Sequence, residues 1–329
     1  MPKWHPVSVV GQHMQQAGAT PVQALAYTLS TAIFYVDTFI KSGLEVDDFG
    51  PRFSFFFDVS GDLFEEVAKL RAARRMWAKI MKDRFNARNP KSWLMRFHAQ
   101  TSGTELTQQQ PLNNIARACL HTLAAVFGGA QSIHTDAYDE PLWSPTEKSQ
   151  RVAIMTQNII AEESGVGDVI DPLGGAYYIE HLTNEVESMA WDYMRRIDDM
   201  GGMFQAVKKG FVQKEIAKSS FEYQKQVDGG DRVVVGLNEY AVHEQEELPQ
   251  QMKVDAELVE RQVNRTKSLR EKRNQEKAKS AIKEVRKAAL NPEQNIFEAV
   301  IDAVKNNVTH GEIVRELRDI YGFGRPLSV

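Results

Sequence analysis

The chain has little cysteine, no large excess of either charge and no long apolar run. A single cysteine, Cys119, stands among 329 residues. No disulfide can therefore close within the chain, and a disulfide-stapled secreted scaffold is excluded. Cys119 falls in an apolar helical stretch, which suits an inert buried thiol better than a reactive one. The formal charge of -4 provides no basic field to recruit nucleic acid. No apolar stretch approaches the ~20 residues a membrane-spanning helix needs. The opening Met-Pro-Lys-Trp-His-Pro has no apolar core segment, so no secretory signal is expected. No Gly-rich phosphate turn follows the first strand-like segment, which weighs against an open dinucleotide-binding sheet. These absences point to a reducing compartment, cytoplasmic or an organelle matrix.

What is present is a βα rhythm. Val7–Val10 reads as a strand, and Thr20 with Pro21 starts a helix that runs to Ser42 and ends at Gly43. Phe53–Phe57 is very apolar, as expected for a parallel strand covered on both faces. Asp62 caps a helix with Glu65 three residues on. A strand over Trp93–Gln100, a helix over Leu112–Phe127, a strand over Gln131–Thr135 and a helix from Ser144 to Ser164 follow. Four strands, each followed by a helix of ten or more residues, imply parallel βαβ units with right-handed crossovers. Four units are half of a (β/α)8 barrel, and residues 1–170 are assigned to this half-barrel. From 171 to 329 a mostly helical extension is expected, with a lone strand over Arg232–Asn238. The Lys, Arg and Glu run from Glu257 to Ala289 reads as a solvated helical face.

In parallel α/β folds the C-terminal strand ends face the ligand. His13 follows the first strand. It is either a hydrogen-bond donor or general acid toward a carbonyl, or a structural histidine. Arg52 and Ser54 alternate with Phe53 and so would share a strand face that suits a phosphate or carboxylate; a surface arginine is the alternative. Lys91 is a second candidate anion contact, or merely solvated. Gln100, Gln131, Asp136 and Glu140 would cluster around a polar organic ligand. His98 and His134 do not make a metal motif by spacing, and no metal site is assigned.

Longer motifs carry a resemblance. Pro2-Lys3-Trp4-His5-Pro6, His13-Met14-Gln15-Gln16-Ala17-Gly18-Ala19, Pro51-Arg52-Phe53-Ser54-Phe55-Phe56-Phe57, Gly128-Gly129-Ala130-Gln131-Ser132-Ile133-His134-Thr135 and Asp171-Pro172-Leu173-Gly174-Gly175 resemble the adenosylcobalamin-dependent acyl-CoA mutases, and so do Phe64-Glu65-Glu66 and Arg71-Ala72-Ala73-Arg74. The group includes methylmalonyl-CoA, isobutyryl-CoA and 2-hydroxyisobutyryl-CoA mutases, and the motifs run in order through the chain. The resemblance implies a (β/α)8 barrel with CoA threaded along its axis and a corrin at the C-terminal strand ends. It implies a radical isomerisation of a short branched acyl-CoA, of the methylmalonyl-CoA/succinyl-CoA type, with adenosylcobalamin supplying the radical. Carried over by motif, His13 would hold the thioester carbonyl. Lys3, Gln12, Arg52, Phe53, Ser54 and Lys91 would contact the acyl-CoA, and Gln100, Gln131, Asp136 and Glu140 the corrin and adenosyl side.

Two residues depart from the methylmalonyl-type pattern: Gln12 stands where tyrosine is usual and Asp136 where asparagine is usual. An amide in place of an aromatic ring suits a more polar acyl group, including a hydroxylated one. The chain resembles the second half of a catalytic subunit. Its expected partners are an N-terminal half-barrel chain, because a half-barrel leaves open sheet edges, and a small cobalamin-binding subunit, with self-association as the alternative way to cover those edges. A half-barrel that only scaffolds assembly is the competing reading from another class.

Overall fold

The computed structural model describes residue 5, residues 7–242 and residues 254–324; Lys3 lies outside them. The chain divides at residues 252/253 into two compact units. The 170/171 boundary of the sequence reading falls inside the first.

In the first unit, β1 (Ser8–Val10), β2 (Ser54–Val59), β3 (Phe97–Thr101) and β4 (Ser132–His134) form one parallel sheet in that order. Short helices α1 (Gln12–Gln16), α3 (Val46–Phe49) and α5 (Pro90–Trp93) lie in the connections, while α2 (Pro21–Lys41), α4 (Leu63–Lys79), α6 (Asn113–Phe127) and α7 (Glu147–Glu163) are the crossover and flanking helices. Strand order follows chain order, so the sheet has no switch point of the doubly wound kind. Val9, Phe55, Phe57, Val59, Phe97 and Ala99 are buried in one core with residues of α2, α4 and α6. Their alternates Ser8, Ser54, Phe56, His98, Gln100, Ser132 and His134 are partly or fully exposed. A sequential parallel sheet covered by helices on one face only is part of a (β/α)8 barrel wall, with its inner face open.

Local chemistry explains the elements. Thr20 and Gln23 form a reciprocal capping box around Pro21, with bonds of 2.9 and 3.2 Å. Asp62 Oδ1 accepts the Glu65 amide at 3.1 Å to start α4. Trp77 of α4 is fully buried. Phe55 meets it edge-on at 4.9 Å and Phe53 stacks on it at 5.7 Å, so aromatic burial ties α4 to β2. An outer helix, α8 (Tyr177–Asp199), packs across α2 and α4. It is pinned by Arg71 to Glu180 and Lys79 to Glu187, both at 2.6 Å. Next come α9 (Met203–Lys208) and α10 (Phe211–Gly229). Ser219 of α10 donates to the Gly18 carbonyl at 2.8 Å. Gly18 has φ +107, and a Cβ there would collide with Ser220, so this close approach requires glycine.

Two expectations change. The strand expected from Trp93 begins at Phe97. Asn89 Oδ1 accepts the Lys91 amide at 3.0 Å and Pro90 opens α5, so Trp93 ends a helical turn and donates its indole N–H to Ala87. The lone strand expected over Arg232–Asn238 is a closed loop with one bridge, Val235 to Glu239. The Asn238 side chain satisfies Val234 N–H and the Val227 and Arg232 carbonyls locally, which removes the need for a strand partner.

The second unit contains α11 (Ala256–Lys272), α12 (Gln275–Leu290), α13 (Ile296–Lys305) and α14 (His310–Tyr321). Ala278, Val285, Ala303, Val308 and Ile313 form its core. No residue of α11 is buried, as a solvated charged face requires, whereas α12, in the same charged run, buries Ala278, Val285 and Ala288. Arg273 clamps Glu312 through two bonds of 2.7 and 2.6 Å. Among the described residues no helix is long and apolar enough to cross a membrane.

Candidate active site

The parallel strands sort the candidate residues to two rims. Arg52, Phe53, Ser54, Lys91 and Gln131 lie at the strand-start rim. Gln12, His13, Gln100, Asp136 and Glu140 lie at the strand-end rim. A six-residue strand such as β2 separates the rims by ~20 Å.

At the first rim the expected shared face of Arg52 and Ser54 is not a strand face. Arg52 closes a 3-10 turn, Gly50–Arg52, and β2 begins at Ser54. Arg96 Nη1 donates to the Pro51 carbonyl at 2.9 Å, and the His5 ring bonds the Arg52 carbonyl at 3.2 Å. Phe53 points into the aromatic core against Trp77. The Ser54 hydroxyl donates to the Val7 carbonyl at 3.2 Å, and Lys91 is exposed. Gln131 does not join the Gln100, Asp136 and Glu140 cluster. It precedes β4, its Oε1 accepts the Phe97 amide at 2.7 Å and its Nε2 donates to the Gly129 carbonyl at 2.8 Å. Its amide stitches β4 to β3 at their start.

At the second rim α1 turns directly out of β1 and carries Gln12, His13, Gln15 and Gln16. His13 is exposed, whereas Gln12 is buried and its Oε1 has no partner. Gln100 Nε2 donates to Asp136 Oδ1 at 3.1 Å, and His134 Nε2 stands 3.2 Å from the same oxygen. The Asp136 amide bonds Thr101 Oγ1 at 2.8 Å. Asp136 Oδ2 is buried, and the Glu140 carboxyl hydrogen-bonds Asp136. Gly103 leaves room beside Asp136 Oδ2 and Glu140 Oε1, which lie 3.3 and 3.1 Å from where its Cβ would stand. Next to this rim, α10 roofs a cavity of about 330 Å³ whose lining includes Gln16, Ser60, Glu65, Thr104, Tyr223 and Arg232.

Burial and neighbouring charge set the titration of these groups. Burial, then the Asp136 charge, pushes Glu140 up to about 7. The hydrogen bond to Asp136 raises His134, while burial and the nearby His134 lower His98. Burial also pushes Asp58 up to about 7. Asp58 pairs with Gln100 across the sheet and accepts Gln16 Nε2 at 3.0 Å. The sequence reading missed it, although its alternation with Phe55 and Phe57 was the available signal. It also missed the buried ion pair of Lys69 and Glu66, which ties α4 to Gln15 of α1 and to the Asp58 carbonyl.

The sequence pattern of the family described as methylmalonyl-CoA mutase matches residues 1–323. The chain belongs to this family. It is 42% identical over 327 residues to the 2-hydroxyisobutanoyl-CoA mutase large subunit of Aquincola tertiaricarbonis, covering 99% of this chain and 58% of that protein. It is 41% identical over 323 residues to human mitochondrial methylmalonyl-CoA mutase, covering 98% of this chain and 43% of the relative. Against the methylmalonyl-CoA mutase of Rhizobium meliloti it is 39% identical over 322 residues, covering 98% and 45%. This member of the family therefore spans about half the length of the curated relatives it matches.

Proposed function

We propose that the chain supplies half of the barrel of a cobalamin-dependent acyl-CoA mutase and holds the acyl-CoA against its open sheet face. The observation that carries this reading is the inner face itself. Ser8, Ser54, His98, Gln100, Ser132 and His134 stand there around the Phe56 ring, where an ordinary barrel interior is filled with bulky branched side chains. Such a wall suits an extended, amide-bearing chain running between the rims. Arg52 and Lys91 at the strand-start rim suit the phosphates of CoA, and Lys3 joins them in this reading. His13, exposed at the strand-end rim, donates to the thioester carbonyl and draws charge onto its oxygen.

The strand-end rim fits an adenosyl group. Gln100, Asp136 and Glu140 gather there as amide and carboxyl groups, and a nucleoside offers amine and hydroxyl donors to them. When bound, adenosylcobalamin supplies the radical that takes a hydrogen from the substrate and later returns it. The chain's residues bind and orient the thioester, hold its carbonyl and exclude water. Phe53 and Gln131 act through packing and strand registry. The complement is a chain carrying the other βα units together with a small cobalamin-binding subunit.

A short branched acyl-CoA of the methylmalonyl-CoA/succinyl-CoA type is the proposed substrate. The free amide oxygen of Gln12 favours a second reading, an acyl group bearing a hydroxyl. The test combines the chain with its complementary chains and adenosylcobalamin, and assays methylmalonyl-, isobutyryl- and 2-hydroxyisobutyryl-CoA. Turnover of one substrate that requires this chain supports the reading. No turnover of any substrate in an assembled complex overturns it.

A further inference from the structure

We propose that Gln15 is a positioning residue: its side-chain amide, held by the buried Lys69–Glu66 pair, fixes the rotation of α1 and so the place where His13 presents its imidazole to the thioester. The inference deepens the acyl-CoA reading and rests on the role given there to His13. α1 is five residues long and has no side-chain cap, and a helix that short has no stability of its own in water. His13 is exposed on it, so where the ring stands is set by the α1 backbone. That backbone is tied down at both ends. At the start, the Gly11 amide donates to the Phe56 carbonyl of β2 at 2.8 Å, and a Cβ on Gly11 would collide with the Thr28 side chain of α2. At the end, Gln16 Nε2 bonds Asp58 Oδ1 at 3.0 Å. The buried Gln15 amide is satisfied on both sides: Oε1 accepts Lys69 Nζ at 2.9 Å and Nε2 donates to Glu66 Oε1 at 2.7 Å.

Stability alone does not call for this arrangement. Lys69 and Glu66 are both fully buried, and a buried ion pair is often no better for stability than apolar side chains of the same volume. What apolar packing lacks is direction. Two bonds of opposite sense to one amide allow a single orientation of α1, whereas an apolar contact lets a short helix turn. A slip by one residue would turn α1 by about 100° and bring Gln12 or Met14 to the place of His13. A misplacement of about 1 Å at a group that holds the reacting carbonyl costs on the order of a hundredfold in rate. Gln15 is buried and acts through His13 rather than on the substrate.

The test is a double-variant cycle in the assembled mutase: wild type, Gln15→Met, His13→Ala and both together, with kcat and KM read for the acyl-CoA that the enzyme turns over. Gln15→Met keeps the length of the side chain and removes both bonds. The expected result is a kcat lowered roughly tenfold or more by Gln15→Met with KM within about twofold, and a further loss below about twofold when it is added to His13→Ala. An equal loss in both backgrounds, or none, overturns the positioning role while leaving the His13 reading in place; no loss from His13→Ala overturns both. On the full chain alone, Gln15→Met should speed hydrogen exchange of the Ala17 amide, which bonds the His13 carbonyl at 3.0 Å, by roughly tenfold or more, with the β3 amides unchanged. Unchanged Ala17 exchange overturns the inference whether or not the mutase assembles. Where Gln15→Met does not fold, Gln15→Asn, which keeps the amide one methylene short, is put through the same measurements with the same outcomes.

Discussion

Replacing Lys69 by methionine strikes the joint that holds the strand-end rim together. Lys69 and Glu66 are both fully buried and paired. Lys69 Nζ donates to the Asp58 carbonyl at 2.6 Å and to Gln15 Oε1 at 2.9 Å. Glu66 Oε1 accepts Gln15 Nε2 and Ser60 Oγ, each at 2.7 Å. Lys69→Met keeps the apolar stem but leaves the Glu66 carboxylate without its cation and two acceptors without a donor. Breaking one side of a buried pair costs ~3–5 kcal/mol, a large share of the ~5–15 kcal/mol that holds a typical domain together. Adding Glu66→Gln removes the stranded charge and is expected to restore ~2 kcal/mol or more, because neighbouring sites couple. Urea unfolding followed by tryptophan fluorescence reads this directly, since all five tryptophans precede residue 252 and report the first unit. A loss below ~1 kcal/mol, or strictly additive single and double variants, would refute the view that this pair carries α1.

Three further outcomes follow from the same geometry. Burial lifts Asp58 to about 7, above its unfolded value of ~3.9. The folded state therefore holds a proton the unfolded chain has lost, and stability falls as pH rises from ~4 to ~7 by up to ~2–4 kcal/mol. Asp58→Asn should flatten that profile and be more stable than wild type at pH 8; an unchanged profile in urea titrations would contradict the burial argument. In the second unit Arg273 holds Glu312 at about 2, so its contribution is present above an unfolded value of ~4.3 and lost as pH falls through about 2. Glu312→Gln should cost this unit ~1 kcal/mol in thermal unfolding near pH 7, discounted for solvent screening, with no loss at all as the contrary result. In the assembled enzyme Gln12→Tyr should shift the ratio of kcat/KM values away from hydroxylated acyl-CoA by roughly tenfold; an unaltered ratio would remove Gln12 from substrate choice.

The fold was legible because burial on one face leaves a strong trace. Phe53–Phe57 reads as a strand, though as one covered on both faces, whereas Ser54 and Phe56 are half-exposed, and Thr20-Pro21 and Asp62 announce their helices. Boundaries failed where side chains act locally. The Asn89 cap drew Trp93 into a helical turn, and Asn238 closed a loop that resembles a strand by composition. The rims were harder to read. A β-strand period assigns faces but not ends, so Gln131 was grouped with residues ~10–15 Å farther along the sheet. Asp58, His134 and the Lys69–Glu66 pair depend on long-range register, which spacing in one sequence does not reveal.

The central claim is that acyl-CoA lies along the inner face of this sheet. Ser132 is exposed on that face, so a large side chain there leaves this chain's core untouched. The decisive measurement is the equilibrium affinity of the assembled enzyme for acyl-CoA with Ser132→Trp, with assembly verified by sedimentation. The account expects a loss of at least a hundredfold, ~2.7 kcal/mol. Wild-type affinity in an intact Ser132→Trp complex would contradict it.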